Sequence, residues 1–296
     1  MHVLITGIGG FIGPRLARNL LEHGHRVSGT WLENTPPPNV EGADLHHADL
    51  MDRSSLGRVF EASNPDAVVH LAGLSSVGES WKRPGEYFQV NVLGTENLLA
   101  AAGDRAFVLA SSAEVYGQVP EDEQPIHEER MPDPRNPYAL TKAAAERIAL
   151  ARGAVVARAF NLVGPGQAPG FVLPSFAGQL SAIARGEQPV LKVGNLTARR
   201  DFVHVDDGAD AFRALIESGQ PGRIYNIASG QALSIAEVLD RLCAVAGLKP
   251  PVEEDPERMR PVDVPLLRGD NGGLRKLGWE PCRTLDDALS DLWASR

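Results

Sequence analysis

Apolar runs of strand length alternate with helical periodicity through the first half of this chain of 296 residues. Residues 3–6, 27–30, 67–71, 106–110 and 154–160 fit strands, and helical patterns lie between them, among them residues 87–102 and 137–151. Runs that are apolar at every position, such as Phe107-Val108-Leu109, suit parallel strands covered by helices on both faces. The alternation therefore predicts an α/β fold with a doubly wound parallel sheet.

A glycine-rich segment joins the first strand to the first helix. In Thr6-Gly7-Ile8-Gly9-Gly10-Phe11-Ile12-Gly13 the glycines recur where a chain must turn tightly and let a diphosphate approach backbone N–H groups. Glycines also occur in ordinary turns, but this position favours a Rossmann-type dinucleotide site. Its predicted contacts are Gly7, Gly10, Phe11, Ile12 and Gly13.

The residues that select between NAD and NADP usually follow the second strand, as an acid for NAD or an arginine for NADP. Here Glu33 lies two residues late, and Arg15 in the predicted first helix is near enough in sequence to bind a phosphate. The predicted cofactor is NADP or NAD, undecided between the two. Asp49 and Leu50, after the third strand, are predicted to lie beside the adenine.

Three polar residues form a candidate catalytic set. Tyr138 and Lys142 are four residues apart in a predicted helix, so both project from one face. An ammonium beside a phenol favours the phenolate and lowers its pKa, which makes tyrosine a usable acid or base. Ser112 ends the fifth strand, at the sheet edge where ligands of such folds bind. A Tyr and a Lys at this spacing also occur on solvated faces, so the prediction depends on the whole set.

Together the glycine loop, Ser112, the Tyr138-x-x-x-Lys142 pair and the order of elements resemble the extended short-chain dehydrogenase/reductase family. The resemblance implies that Tyr138 moves a proton, that Lys142 also holds the nicotinamide ribose, and that Ser112 positions the substrate oxygen. It further implies cofactor contacts from the ends of the fourth to sixth strands, at Leu71, Ala72, Gly73, Ala110 and Phe160.

The second half resembles the nucleotide-sugar branch of that family. Asn161 of Arg158-Ala159-Phe160-Asn161, Arg200 and Arg260 match residues that bind the substrate diphosphate, and Ser76 and Asp263 are predicted beside them. Placed arginines explain how a chain with 29 basic and 38 acidic residues, a formal net charge of −9, binds a diphosphate. The same net negative charge would repel the phosphates of a nucleic acid, so no nucleic-acid partner is expected.

Residues 75–81, 194–201 and 260–270 resemble GDP-linked 4-keto-6-deoxy-mannose reductases and the related GDP-mannose 4,6-dehydratases. Reduction is favoured because Gly10-Phe11-Ile12-Gly13 differs from the Gln-Asp-Gly loop of the dehydratases and because the chain is short. Dehydration stays open because Glu114 stands where those enzymes place an extra acid or base. A UDP-sugar 4-epimerase is weakened by Trp31 and Ser75, and a non-catalytic dinucleotide sensor is the remaining alternative.

The regular alternation of strand-like and helical segments ends after Gly164-Pro165-Gly166. This change predicts a dinucleotide-binding domain over residues 1–163 and a smaller, irregular α/β substrate lobe over residues 164–296. Some segments of the second part are expected to return to the first domain. Cys243 and Cys282 have no metal-ligand spacing, so no metal is expected and a reducing compartment is favoured. No leader or spanning segment is recognised, which favours a cytoplasmic protein without a membrane partner. The resemblance implies a homodimer paired through helices 87–102 and 137–151.

Overall fold

The computed structural model describes residues 1–32, 37–259 and 263–296. Its strands, in chain order, are β1 (His2–Thr6), β2 (Arg26–Trp31), β3 (Asp44–His47), β4 (Ala67–His70), β5 (Ala106–Ser112), β6 (Val155–Ala159), β7 (Asn161–Val163), β8 (Leu191–Val193), β9 (Arg199–His204), β10 (Ile224–Ile227), β11 (Ala232–Ser234), β12 (Val252–Glu254) and β13 (Leu266–Leu267). Its α-helices are α1 (Gly13–Glu22), α2 (Arg53–Ser63), α3 (Val77–Lys82), α4 (Pro84–Phe88), α5 (Gly94–Ala102), α6 (Pro137–Ala151), α7 (Val172–Ala184), α8 (Val205–Ser218), α9 (Ile235–Ala246), α10 (Gly272–Arg275) and α11 (Leu285–Ala294).

The larger sheet has seven parallel strands in the order β10-β6-β5-β4-β1-β2-β3. Every residue of β1 and β4 is buried, as expected for strands with both faces covered. Leu16 of α1 and Phe212 of α8 pack on one face, and Leu56 of α2 and Leu98 of α5 pack on the other. The predicted doubly wound α/β fold is confirmed.

A smaller, irregular unit follows β6. Strand β9 pairs with β7, β11 and β13, and a separate pair joins β8 to β12. Helices α7, α9 and α11 bury their apolar faces against this unit. Strand β10 and helix α8, although they follow residue 163, belong to the layers of the larger sheet. The division at residue 163 stays a prediction.

The predicted helix over 87–102 is interrupted. Helix α4 ends at Phe88, a π-helical turn covers Gln89–Leu93, and α5 begins at Gly94. The hydroxyl of Thr95 on α5 donates to the carbonyl of Asn91 in this turn at 2.6 Å, and the Asn91 side chain bonds to Leu74 in the loop after β4. Such π-turns are frequent at functional sites. In the described part of the chain, no helix is long and apolar enough to cross a membrane.

Helix α6 matches its predicted bounds because its start carries two local signals. The Asn136 side chain caps the helix by accepting the Ala139 N–H at 2.8 Å, and Pro137 occupies the first helical position. This cap fixes where the first turn begins. Tyr138 therefore lies in that turn, at the carboxyl edge of the larger sheet.

Candidate active site

The predicted glycine loop lies against the end of β4. Gly7 has a positive φ of 70°, and a Cβ there would stand 2.9 Å from the Ala72 Cα, so only glycine fits. The Leu71 N–H donates to the Thr6 carbonyl at 3.2 Å, and the Ala72 N–H donates to the Thr6 hydroxyl oxygen at 3.3 Å. The structure thus brings the predicted cofactor residues Gly7, Leu71 and Ala72 together.

The start of α1 is suited to an anionic group. Among the described residues, no side chain caps this helix at Ile12 and no acidic residue lies in its first turn. Gly10 is exposed at the loop tip, Phe11 and Ile12 are half-buried, and Gly13 packs so closely that a Cβ would stand 2.6 Å from the Ile8 Cα. These features fit the diphosphate of a dinucleotide.

Arg15 is engaged with protein groups. Its guanidinium donates to the Phe11 carbonyl at 3.0 Å and the Pro165 carbonyl at 2.7 Å, and it pairs with Asp206 at 3.0 Å. These contacts tie the glycine loop to the chain that leads into the smaller unit. Glu33, the other residue considered for cofactor choice, lies outside the described residues. The selection between NAD and NADP is therefore not assigned to a side chain.

The loop after β3 is fixed beside α5. Asp49 accepts the Met51 N–H at 2.8 Å, and the Leu50 carbonyl accepts the Asn97 side chain at 2.9 Å. This loop follows the strand next to β2, at the same sheet edge as the glycine loop. A role beside the adenine stays a prediction for both residues.

Tyr138 and Lys142 project from one face of α6 and are buried, with 7% and 8% of their surface exposed. The Lys142 Nζ donates to the Ala110 carbonyl at 2.9 Å, and a Cβ on Gly73 would stand 3.7 Å from this nitrogen. The Ser112 side chain lies close enough to the Tyr138 hydroxyl to favour its phenolate form. The three residues of the predicted catalytic set thus meet at the carboxyl edge of the larger sheet.

Burial dominates the acid–base properties of this set. It raises the pKa of Tyr138 above the ordinary value for tyrosine, while the Ser112 side chain acts in the opposite direction. It lowers the pKa of Lys142 to about 8, against the charge of Glu146. The sequence predicts a lowered pKa for Tyr138, and that direction is wrong here because burial outweighs the groups that favour phenolate. A neutral phenol keeps the proton that a general acid must give.

Glu114 is held next to this set by the cap of α6. Its carboxylate accepts the Asn136 side-chain amide at 3.0 Å, and its N–H donates to the Ser112 hydroxyl oxygen at 3.2 Å. The charge of Glu114 is among the influences that raise the pKa of Tyr138. The structure therefore places the predicted extra acid or base close to Tyr138 and gives it a contact with the cap of the helix that carries Tyr138.

A buried polar chain that was not predicted from the sequence links β1 to the π-helical turn. His70 Nδ1 lies 2.7 Å from the Thr6 hydroxyl, and its Nε2 lies 3.1 Å from the Thr95 hydroxyl. Because Thr95 donates to the Asn91 carbonyl, we assign the ring proton to Nε2. Burial lowers the pKa of His70 to about 3, and the charge of Lys142 acts in the same direction, so the ring is neutral.

The Asn91 carboxamide continues this chain toward α6. It accepts the Leu74 N–H at 2.8 Å, donates to the Leu74 carbonyl at 3.0 Å and donates to the Thr141 hydroxyl oxygen at 3.1 Å. Asn91 thereby joins the loop after β4 to the helix that carries Tyr138. The position of Asn91 between Val90 and Val92 was the available sequence signal.

The predicted substrate residues Ser76 and Asn161 lie on different elements. Ser76 caps the start of α3, and its hydroxyl oxygen accepts the Glu79 N–H at 3.2 Å. The Asn161 side chain donates to the Asp201 carbonyl at 3.4 Å, which ties β7 to β9. The ring of Phe160 packs on Gly269, where a Cβ would stand 2.6 Å from the ring.

Two predicted substrate residues form an ion pair. The Arg200 guanidinium bonds to Asp263 at 2.8 Å and donates to the Val264 carbonyl at 2.7 Å. Asp263 also accepts the Asn195 side chain at 2.6 Å. Arg260, the second predicted arginine, lies outside the described residues. Binding of substrate by these side chains stays a prediction.

Comparison with known proteins agrees with this geometry. The family model described as GDP-mannose 4,6 dehydratase matches residues 4–292. The chain belongs to this family. As the resemblance predicted, its relatives are nucleotide-sugar enzymes of the extended short-chain dehydrogenase/reductase type. The GDP-6-deoxy-D-mannose reductase of Pseudomonas aeruginosa is 38% identical over 310 aligned positions, which cover 100% of this chain and 98% of the relative.

Solved structures of nucleotide-sugar enzymes also match nearly the whole chain. The structure of RMD from Pseudomonas aeruginosa complexed with NADPH matches with a TM-score of 0.87 at 36% identity, covering 99% of this chain and 98% of that chain. The UDP-glucose 4-epimerase of Thermus thermophilus in complex with NAD matches with a TM-score of 0.88 at 31% identity, covering 100% and 98%. These relatives carry NADPH or NAD, which agrees with the prediction of an NAD(P) cofactor.

Proposed function

We propose that this enzyme uses NADPH or NADH to reduce the 4-keto group of a nucleotide-linked 4-keto-6-deoxy sugar, with GDP-4-keto-6-deoxy-mannose as the favoured substrate and GDP-6-deoxy-mannose as the product. The observation that carries this proposal is that half-buried Ser112 and buried Tyr138 and Lys142 come together beside the glycine loop. The full-length similarity to a GDP-6-deoxy-D-mannose reductase supports it.

The three side chains divide the chemistry between them. When bound, a reduced nicotinamide dinucleotide supplies the hydride that reaches C4 of the sugar. Tyr138, which burial keeps protonated, gives its proton to the oxygen on C4, and Ser112 holds that oxygen by a hydrogen bond. Lys142, one turn further along α6, stabilises the phenolate that remains and holds the nicotinamide ribose.

The substrate diphosphate and base position the sugar for this step. Arg200 offers a guanidinium to a diphosphate, and Asn161 and Ser76 offer neutral hydrogen-bonding groups from neighbouring elements. Arg260 and Asp263 are proposed to complete this subsite.

Epimerisation and dehydration use related chemistry. UDP-glucose 4-epimerases are among the relatives, for example that of Caenorhabditis elegans at 31% identity over 99% of this chain. For dehydration, Glu114 would remove a sugar proton. Its bond to Asn136 supports instead a role in holding the start of α6. Glu114→Gln keeps an oxygen that accepts from Asn136, so reduction is expected to persist in this variant, whereas a dehydratase would lose its base.

Tyr138→Phe tests the role of the acid. Removing the hydroxyl leaves the ring in place, so nucleotide binding should be unchanged while kcat falls by about 10²- to 10⁴-fold, the contribution of general acid catalysis. Tyr225→Phe is the matched control, because Tyr225 is buried and its hydroxyl makes one hydrogen bond to the described residues, from the Gln220 N–H. A Tyr138→Phe enzyme with the wild-type kcat would refute the assignment of Tyr138 as the general acid.

We also propose a second copy of this chain as partner. Large apolar side chains, each 42–56% exposed, lie along α3 to α6, namely Trp81, Phe88, Leu93 and Leu140. Burying them between two copies removes this apolar surface from water. Sedimentation velocity should show a dimer that Leu140→Glu weakens; a wild-type monomer at micromolar concentration would contradict the proposal.

A further inference from the structure

Tyr87 makes two contacts that no step of the proposed reaction uses. It lies on α4, one helical turn before Asn91, and is buried, with 1% of its surface exposed. Its hydroxyl donates to the Ser76 carbonyl at 2.7 Å. Its ring meets the ring of Tyr138 edge to face, with centroids 6.4 Å apart and an interplanar angle of 86°.

These contacts bridge two parts of the site that come from different elements. Ser76 belongs to the loop that begins α3, on the predicted substrate side, and Tyr138 belongs to α6. A tyrosine side chain has two rotatable torsions before its ring, so a buried ring fixed at both ends is a stiff spacer. The edge-to-face contact also restricts the plane of the Tyr138 ring, since the positive ring edge prefers the face of its neighbour.

Asn91 makes a parallel connection one turn away. Its side chain bonds to both backbone groups of Leu74 and to the Thr141 hydroxyl on α6. The loop over residues 74–76 is therefore held at two points by the same short helical segment that contacts the catalytic helix. Without Tyr87, the Asn91 bonds still hold Leu74, but the hydroxyl contact at Ser76 and the ring contact at Tyr138 are both lost.

We propose that Tyr87 is a positioning residue for the reaction, whose ring orients the Tyr138 phenol and whose hydroxyl holds the substrate loop at Ser76. This inference rests on the proposed function. It assigns separate tasks to the hydroxyl and to the ring of one side chain. Tyr87→Phe removes the hydroxyl alone, and the comparison of Tyr87→Met with Tyr87→Phe isolates the ring. A residue that only fills the core would lower stability without dividing the kinetic effects in this way.

Tyr87→Phe removes the hydroxyl and keeps the ring. We expect KM for the nucleotide sugar to rise several-fold to about tenfold, the range that one hydrogen bond supplies, with kcat and the KM of the dinucleotide unchanged. Tyr87→Met, which keeps a similar apolar volume, removes the ring contact as well, and we expect kcat to fall by an order of magnitude or more. Tyr225→Phe should show neither change.

The outcomes test the role of the Tyr87 hydroxyl, the role of its ring and the proposed function separately. A Tyr87→Phe enzyme with the wild-type KM overturns the task assigned to the hydroxyl, and a folded Tyr87→Met enzyme with the wild-type kcat overturns the task assigned to the ring. Absence of any turnover by the wild-type enzyme refutes the proposed function instead. In that case calorimetry with GDP-mannose still tests Tyr87, because Tyr87→Phe should bind it several-fold more weakly and equal binding would overturn the proposal.

Discussion

The buried ion pair between Glu146 and Arg158 provides a stability prediction that can be worked from the structure. Glu146 follows Lys142 by one turn of α6 and has 1% of its surface exposed. It accepts the Ser111 hydroxyl at 2.5 Å and two bonds from the Arg158 guanidinium, at 2.7 and 3.0 Å. The pair thus ties the catalytic helix to β5 and β6.

Glu146→Gln removes the negative charge and leaves a guanidinium buried on β6. Breaking such a pair from one side costs about 3–5 kcal/mol. The double variant Glu146→Met with Arg158→Met removes both charges and the desolvation penalty together. It still loses the bond from the Ser111 hydroxyl to Glu146, the bonds from Arg158 to the carbonyls of Glu128 and Arg130, and the stacking on Tyr116. We expect the double variant to be more stable than Glu146→Gln by about 2 kcal/mol or more.

Urea unfolding at pH 7 measures the free energy of unfolding of the three proteins. A loss below about 1 kcal/mol for Glu146→Gln would refute the reasoning, since an exposed pair contributes that little. A double variant less stable than the single one would refute it as well. The same charge opposes the lowering of the Lys142 pKa by burial. Both variants should therefore lose activity at a lower pH than the wild type on the basic side.

Three further predictions follow from single contacts. Because the pKa of Lys142 lies at about 8, its stabilising charge is lost as the pH rises through that value, so initial rates should fall above pH 8; a rate that rises steadily to pH 9.5 would contradict this. Gly13→Ala places a Cβ 2.6 Å from the Ile8 Cα, so calorimetry should show dinucleotide binding weakened at least about tenfold, and unchanged affinity would disprove the close packing. Asn136→Ala removes the cap of α6 and should lower the free energy of unfolding by about 1 kcal/mol, whereas Asn136→Ser, which keeps a capping oxygen, should lose less.

The sequence was sufficient for elements whose signals are local. Helix α6 carries its own start signal at Asn136-Pro137, and strands such as β4 are apolar at every position. The spacing of Tyr138 and Lys142 and the place of Ser112 at a strand end then locate the catalytic set. These predictions need only helical geometry and the rule that ligands bind at the carboxyl edge of a parallel sheet.

Other features depend on contacts between distant residues. The π-helical turn forms where Asn91 bonds to Leu74. No local sequence pattern indicates the extra residue that a π-helical turn contains. The raised pKa of Tyr138 reflects burial, which the spacing to Lys142 does not reveal. The sequence predicts that some later segments return to the first domain, but it does not indicate that β10 is one of them, because the pairing of β10 with β6 is decided by tertiary packing. The cytoplasmic location and the role of each substrate residue stay predictions.

The measurement that tests the central claim most directly is turnover of GDP-4-keto-6-deoxy-mannose with NADPH and then with NADH, followed by absorbance of the reduced cofactor and by product analysis. The account predicts oxidation of one or both cofactors, with one GDP-linked 6-deoxyhexose formed for each hydride transferred. Conversion of GDP-mannose or UDP-glucose without added cofactor, together with no oxidation in the presence of the keto sugar, would contradict it.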